Sequence, residues 1–369
     1  MTTLDDLFPP ADLKAEIEAG YVTRKQHPEL SLSLYVYSEK CQFEPRWTPV
    51  TMRCRGLIID DRTGEIVALP FPKIFVSAMH GVHDFAPPLP AEPFEIYDKA
   101  DGSLAIVYHY DGRWHAASKG SLISEQARWA QERLDRSDLS LLDPGLTYLA
   151  EAIYPSNRIV LDYGGAEALM LLAAFRPADL SEVPLSVAAA HWVPVGPVVP
   201  SWGLGRDLAG LEALAAANTT TDGRTVTGTQ QEGYVIRFAS GQRAKIKLAA
   251  YLALHRLYTG TNERTVWEVL SSGQDPAVLY DTVPDEFAGW VRTVAERLNG
   301  LFDSYLGVAH YEFEQIGRIP DRKAFAEQAV KSDYRAALFR LYDGKDIEDL
   351  AWKACKPRGD TPYVVDEEG

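Results

Sequence analysis

Lys99, Asp101 and Gly102, within KADGSL, are the residues of this 369-residue chain whose types and spacing most directly suggest chemistry. Lys99 follows a strand-like run, and Asp101-Gly102 turn the chain into another, SLAIVYHY. A lysine fixed at a strand end can act as a nucleophile. Its free amine titrates at about 10.4, so it is protonated at neutral pH. Burial and neighbouring cations lower that value and release the lone pair. Lys245 and Lys247, in AKIKL, supply such cations, and their spacing on a strand points both side chains to one face. Taken alone, KxDG also describes a hairpin with a solvated lysine, so the motif depends on its neighbours.

The elements around it read as strands broken by turns. SLSLYVYS, GLIIDD, FEIYDK, SLAIVYHY and RWHAAS are short, β-rich and partly alternating. Asp111-Gly112 between the last two has the composition of a hairpin turn. TYLAEAI, RIVLDY, ALMLLAAF, GYVIRF and RAKIKL predict further strands. Helical spacing covers Ser124 to Arg136 and Asp207 to Ala217. A Pro-rich stretch between 184 and 203 reads as a connector. After Ala249 the strand-like runs vanish, and VWEVL, EFAGWVRTVAERLNGLFDSYL, DRKAFAEQAVKS and YRAALFRLY carry helical periodicity, with Asp321 as an N-cap. The expected division is residues 1–250 and 251–369.

Composition sets the outer limits. Hydrophobic residues at 46% and charged residues at 24% are ordinary for a globular protein and exclude a disordered or collagen-like chain. Cys41, Cys54 and Cys355 form no CxxC, which argues against a disulfide scaffold or a cysteine zinc site and points to a reducing cytoplasm. The first twenty residues lack a basic n-region and an apolar h-region, so no signal peptide is expected. No apolar run approaches the roughly 20 residues of a membrane span. The net charge of −15 excludes a broadly basic nucleic-acid coat protein but leaves room for a basic cleft. From residue 263 on, 21 acidic face 13 basic residues, a difference of −8, so the helical part is acidic. His80 and His83 lack a carboxylate–histidine pattern and read as loop residues. Neither a Walker A sequence nor a dinucleotide-binding glycine signature is present.

In order along the chain come RCRGLIID, PFPKIF, KADGSL, SKGSLISEQA, LAEAIYPSNRIVLDY, EGYVIRF and AKIKL. This series resembles the covalent nucleotidyltransferase superfamily of ATP-dependent ligases and capping enzymes, and within it the T4 RNA ligase 1 family. DNA ligases and capping enzymes usually carry an arginine where this chain has Leu104. The likeness continues through YLALH, DRKAFAEQA and ALFRLYDG.

The resemblance implies an α+β fold: an ATP-grasp-like adenylation domain of antiparallel sheets with flanking helices, then an all-helical domain that helps select RNA. It implies an ATP-dependent RNA ligase joining 5′-phosphate and 3′-hydroxyl ends. Lys99 would take AMP from ATP, pass it to the RNA 5′-phosphate, and a 3′-hydroxyl would then seal the strand. By the same resemblance, Asp101 and Gly102 complete the lysine motif, with Asp101 orienting metal-bound water. Glu151 would accept the ribose hydroxyls, a natural task for a carboxylate. Glu232 would help hold Mg2+ or Mn2+, which suit oxygen ligands. Lys245 and Lys247 would contact the α-phosphate. Arg55, Lys73 and Lys119 match basic positions around the ATP phosphates, and Tyr37 an aromatic near the nucleotide. Arg158 is left as structural. The implied partner is RNA, for example a cleaved tRNA, with a separate end-healing kinase–phosphatase. The alternatives are a DNA or mixed-strand ligase of the same superfamily and a non-catalytic protein that binds RNA ends.

Overall fold

The computed structural model describes residues 2–38, 40–41, 46–260, 263–274 and 285–357. Two compact units divide the chain, the first holding Met1–Ala253 and the second beginning at Leu254. The end of the expected helical domain, 358–369, lies outside the described residues.

The first unit contains strands β1 (Val22–Gln26), β2 (Leu32–Tyr37), β3 (Arg55–Asp60), β4 (Ile66–Ala68), β5 (Phe75–Val76), β6 (Phe94–Asp98), β7 (Ser103–Tyr110), β8 (Arg113–Ser118), β9 (Thr147–Ile153), β10 (Ala168–Arg176), β11 (Ser181–Val183), β12 (Ser201–Gly205), β13 (Gly233–Phe238) and β14 (Arg243–Lys247). They form three sheets, ordered β1-β2-β3-β4, β11-β10-β9-β7-β8 and β12-β6-β13-β14-β5. All the pairings are antiparallel except that of β14 with β5. Helices Glu125–Asp135, Leu185–Trp192 and Leu208–Ala216 flank them, which makes the fold α+β.

The β11-β10-β9-β7-β8 sheet is buried on both faces. Leu104, Ile106, Tyr108 and Leu149 pack with Leu34, Leu57 and Ile58 of the first sheet. The alternate residues Ala105, Val107, Tyr148 and Ala150 pack with Ala130 and Leu134 of one flanking helix and Ala188 and Trp192 of another. This strand alternation decides where polar side chains can go. Glu151 pairs with Leu104 of β7 and Met170 of β10, and it shares the face of Leu149 rather than that of Ala150.

Local signals explain several elements. Asp111 and Gly112 both have positive φ (50° and 76°), the geometry of a two-residue hairpin turn joining β7 to β8. Ser124 and Asp207 cap their helices by accepting the N–H of Ala127 and Gly210.

Two segments depart from expectation. RIVLDY is not a strand: Arg158 to Tyr163 run as a loop after a short 3-10 turn at Pro155–Asn157. The reason is that the N–H groups of Val160 and Leu161, which a ladder would use, both donate to Asp101 Oδ2 at 2.8 Å. The Pro-rich stretch is not a plain connector either. It holds the helix Leu185–Trp192, opened by Pro184, and the edge strand β12.

Beyond β14 the described residues form helices and turns. Ala249–Gly260 is followed by Glu263–Ser271, Asp285–Ile316, Arg322–Ala329, Arg335–Tyr342 and Glu348–Ala354. Asp321 caps its helix by accepting the Lys323 N–H at 3.0 Å. Within the second unit, Phe325, Ala329 and Leu338 make one small core and Ala309, Ala337 and Ile347 another. No helix among the described residues is long and apolar enough to cross a membrane.

Candidate active site

A cavity of about 820 Å³ opens in the first unit and is lined by Arg55, Lys99, Lys119, Glu151 and Lys245, among others. Lys99 follows β6, and its backbone N–H donates to the Gly233 carbonyl at 2.9 Å, which ties the lysine to the start of β13. Gly233 adopts φ of 148°, and a Cβ there would lie 2.1 Å from the Ile246 carbonyl oxygen, so the glycine of EGYV permits this approach. Gly102 plays a similar part: a Cβ on it would meet the Ala152 carbonyl oxygen at 2.6 Å and Glu151 Cγ at 3.2 Å.

Lys99 Nζ donates to Glu232 Oε2 at 2.7 Å, and Lys247 Nζ lies 2.9 Å from Glu232 Oε1. Glu232 is 1% exposed, so one buried carboxylate holds two lysines. Arg243, Lys245 and Lys247 occupy one face of β14 while Ala244 and Ile246 are buried on the other. Burial pushes the Lys99 ammonium down, but Glu232, Glu151 and Asp101 more than offset it and hold Lys99 above the ordinary lysine value. The expected depression falls on Lys245 instead. Burial, with the charges of Lys99, Arg55 and Lys73, carries Lys245 well below its usual range.

Burial raises Glu151 to about 7, against the opposing pull of Lys99. Asp101 is buried and hydrogen-bonded through both carboxylate oxygens. Its Oδ2 takes the Val160 and Leu161 amides, its Oδ1 takes the Tyr251 hydroxyl at 2.9 Å, and its own N–H donates to the Tyr163 hydroxyl at 2.8 Å. Burial and Glu232 nevertheless keep its carboxyl above the usual range. Asp101 therefore locks the lysine motif to the 158–163 loop and to the helix after β14.

The other expected residues form a second, cationic group. Lys73 Nζ lies 5.1 Å from the Tyr37 ring centroid and Lys119 Nζ 5.7 Å from it. Burial would raise the Tyr37 phenol, but Lys119, Lys73 and Arg55 together bring it below its ordinary value. Arg55 lines the cavity, and its Nη1 is buried with no hydrogen-bond partner among the described residues.

The structure thus brings Lys99, Glu151, Glu232, Lys245 and Lys247 together, with Arg55, Lys73, Lys119 and Tyr37 beside them. Arg158 lies apart, 3.5 Å from Asp162. Sequence reasoning missed Tyr163 and Tyr251. Tyr251 had a usable signal, four residues after Lys247 in the first turn of a helix; its ring lies 4.9 Å from Lys247 Nζ. Among the described residues no group of three or more His, Cys, Asp or Glu side chains is placed to hold a metal ion. Oxygen-bound Mg2+ commonly takes one or two carboxylates and completes its shell with phosphate and water. Glu232 fits that pattern, and Asp101 Oδ1, with a single donor, retains acceptor capacity.

A family model described as RNA ligase, of the T4 RNA ligase 1 type, matches residues 53–252, more than half of the chain. Two curated relatives also match. One, from Autographa californica nuclear polyhedrosis virus, is named for polynucleotide kinase and RNA ligase and is 32% identical over 149 residues. That match covers 34% of this chain and 22% of the relative. The other, from Thermovibrio ammonificans, is named as an RNA ligase and is 27% identical over 129 residues, covering 33% of this chain and 34% of the relative. The matched segments therefore span about a fifth and a third of these relatives' lengths. Solved structures include a Naegleria gruberi RNA ligase with PPi (17% identity, TM-score 0.37, covering 45% of this chain and 52% of that one). Another is a chain from Aquifex aeolicus named as an ATP-dependent DNA ligase (15%, 0.44, 91% and 99%). With the family model spanning both the lysine motif and the β13–β14 pair that faces it, this chain belongs to the RNA ligase family of the T4 RNA ligase 1 type.

Proposed function

We propose that the chain is an ATP-dependent RNA ligase that works through a lysyl–AMP intermediate on Lys99 and an adenylated RNA end. The observation that carries this reading is Lys99 Nζ, 2.7 Å from Glu232, on the wall of a cavity shared with Glu151 and Lys245. Lys99 must lose a proton before its nitrogen can attack phosphorus, and Glu232 is the acceptor within reach. The new P–N bond forms as the bond from the α-phosphorus to pyrophosphate breaks. Lys245 and Lys247 stabilise charge on the α-phosphate, and Arg55, Lys73 and Lys119 hold the departing phosphates. Glu151 accepts the ribose hydroxyls. Tyr37 sits among the phosphate-binding cations.

Glu232 and Asp101 are the residues that would hold Mg2+ or Mn2+, which would supply positive charge against the polyphosphate. Asp101 also positions the lysine motif through its three donors. In step two AMP passes to an RNA 5′-phosphate; in step three a 3′-hydroxyl displaces AMP and closes the strand.

Residues 1–250, closed by Tyr251 at the start of the next segment, carry the adenylation, and the rest of 251–369 helps select RNA. The substrate is broken RNA, with cleaved tRNA as the example, in a cytoplasm where Cys41, Cys54 and Cys355 stay free, as they are here. The kinase in the viral relative's name favours a partner that supplies 5′-phosphate ends. Intact mass after incubation with ATP and Mg2+ tests the reading. Wild type should gain one AMP and Lys99→Ala none; absence of a gain on wild type would refute it.

A further inference from the structure

Past the cations, the surface becomes aromatic. Lys73 Nζ lies 4.4 Å from the Trp47 ring centroid. Trp47 meets Tyr37 edge-on at 5.1 Å and Phe75 at 5.8 Å. Phe75 meets Phe85 at 5.1 Å, and His83 stacks on Phe85 with centroids 5.0 Å apart and planes within 5°. Phe75 is buried, Trp47 and Phe85 are half-buried, and His83 is exposed. A ribbon of rings therefore runs from the Lys73 ammonium out to solvent. The loop carrying its outer end is fixed by its own hydrogen bonds, Gly81 N–H to the Ala86 carbonyl at 2.8 Å and Ala86 N–H to the His83 carbonyl at 2.9 Å. The rings are held in place before any ligand arrives, which spares the ordering cost of binding.

In-line displacement says what approaches this ribbon. In the reaction proposed above, Lys99 attacks the α-phosphorus opposite the departing pyrophosphate. In the next step Lys99 is the leaving group: the P–N bond breaks, the nitrogen takes up a proton, and a P–O bond forms to the RNA 5′-phosphate. That oxygen must enter opposite Lys99, on the side pyrophosphate left. Arg55, Lys73 and Lys119 then receive the 5′-phosphate, and the nucleotide attached to it continues past Lys73 onto the rings.

We propose that Trp47, Phe85 and His83 form a stacking platform for the first bases of the 5′-phosphorylated, single-stranded RNA. This rests on the ligase reading for its direction. Stacking of bases on side-chain rings is tolerant of sequence, as an end-joining enzyme requires, and the cations supply the backbone attraction that rings lack.

The test titrates the full chain with a short 5′-phosphorylated oligoribonucleotide carrying 2-aminopurine as its first base, and measures the ATP-dependent mass gain on the same samples. Wild type should quench the fluorophore. The His83→Ala/Phe85→Leu double variant should bind about 10-fold or more weakly, given the usual cost of losing a stacked base. It should still gain AMP, and Phe85→Trp should bind as wild type does. Unchanged affinity and quenching in the double variant would overturn the platform. So would an equal loss of AMP gain, which would mean a disturbed fold rather than a lost base contact. Binding that depends on His83 in a wild type that never gains AMP would uphold the platform while refuting the lysyl–AMP reading.

Discussion

Lys99 rests in an ion pair with Glu232, Nζ to Oε2 at 2.7 Å, and the same carboxylate is shared with Lys247. The nucleophile of the proposed reaction is thus stored as an ammonium ion. Lys99→Ala removes it and should abolish ATP-dependent mass gain, yet still seal RNA that is already adenylated at its 5′ end. Gel-resolved joining of pre-adenylated RNA checks the second half. ATP labelling of the alanine variant would move the nucleophile elsewhere.

Lys247→Ala removes charge from the proposed α-phosphate site and one partner of Glu232. Adenylation should slow by roughly 10²-fold, comparable to the loss of one oxyanion donor. Single-turnover transfer of radiolabelled AMP to the protein measures it, and a wild-type rate would take Lys247 out of the chemistry.

Glu151 offers a pH signature. Its carboxyl is raised from 4.5 to about 7 by burial, so the folded chain binds a proton there that the unfolded chain releases. Its contribution to stability is present below the unfolded value and is lost as pH rises through the folded one. Glu151→Gln should flatten the fall in the urea midpoint between about pH 4.5 and 7. The same slope in variant and wild type would contradict the assignment.

Asp101 distinguishes shape from charge. Asp101→Ala leaves the buried Val160 and Leu161 amides without their acceptor, each costing about 1–3 kcal/mol. Asp101→Asn can keep Oδ1 on the Val160 and Leu161 amides and offer its NH2 to the Tyr251 hydroxyl, so it should lose far less. Denaturant melts of the two variants make the comparison, and equal losses would mean that the carboxylate charge itself is required.

Strand choice tests the family reading against a DNA-joining relative. RNA 3′-hydroxyl ends should be joined and DNA 3′-hydroxyl ends should not, in paired assays on otherwise identical strands. Efficient joining of DNA would favour the mixed-strand alternative.

The sequence exposed those parts of the molecule whose geometry is local. Alternation alone puts Lys245 and Lys247 on one face of β14, and the Asp111-Gly112 pair dictates its own turn. Ser124, Asp207 and Asp321 announce helix starts because capping uses neighbours in the chain. Tertiary competition was illegible. RIVLDY has strand composition, but Asp101, 59 residues before Val160, takes the amides a ladder needs. The helix Leu185–Trp192 hid behind Pro184, which stands at its N-cap and opens it rather than breaking it. Lys99 shows the limit for charge: its cationic neighbours were visible in the sequence, but the depth at which Glu232 is buried against it was not.

The Asp101 clamp also bears on how the chain can be divided. Tyr251 reaches back 150 residues to close it, from the helix that follows β14. A fragment ending at Lys247 would retain every lysine of the candidate site but lack the hydroxyl that fixes the turn beside Lys99. On a ribosome, likewise, the lysine motif waits for residue 251 to emerge before its hydrogen bonds can be completed. A minimal adenylating fragment should therefore extend through Ala253, where the first compact unit ends, and not stop at the last strand.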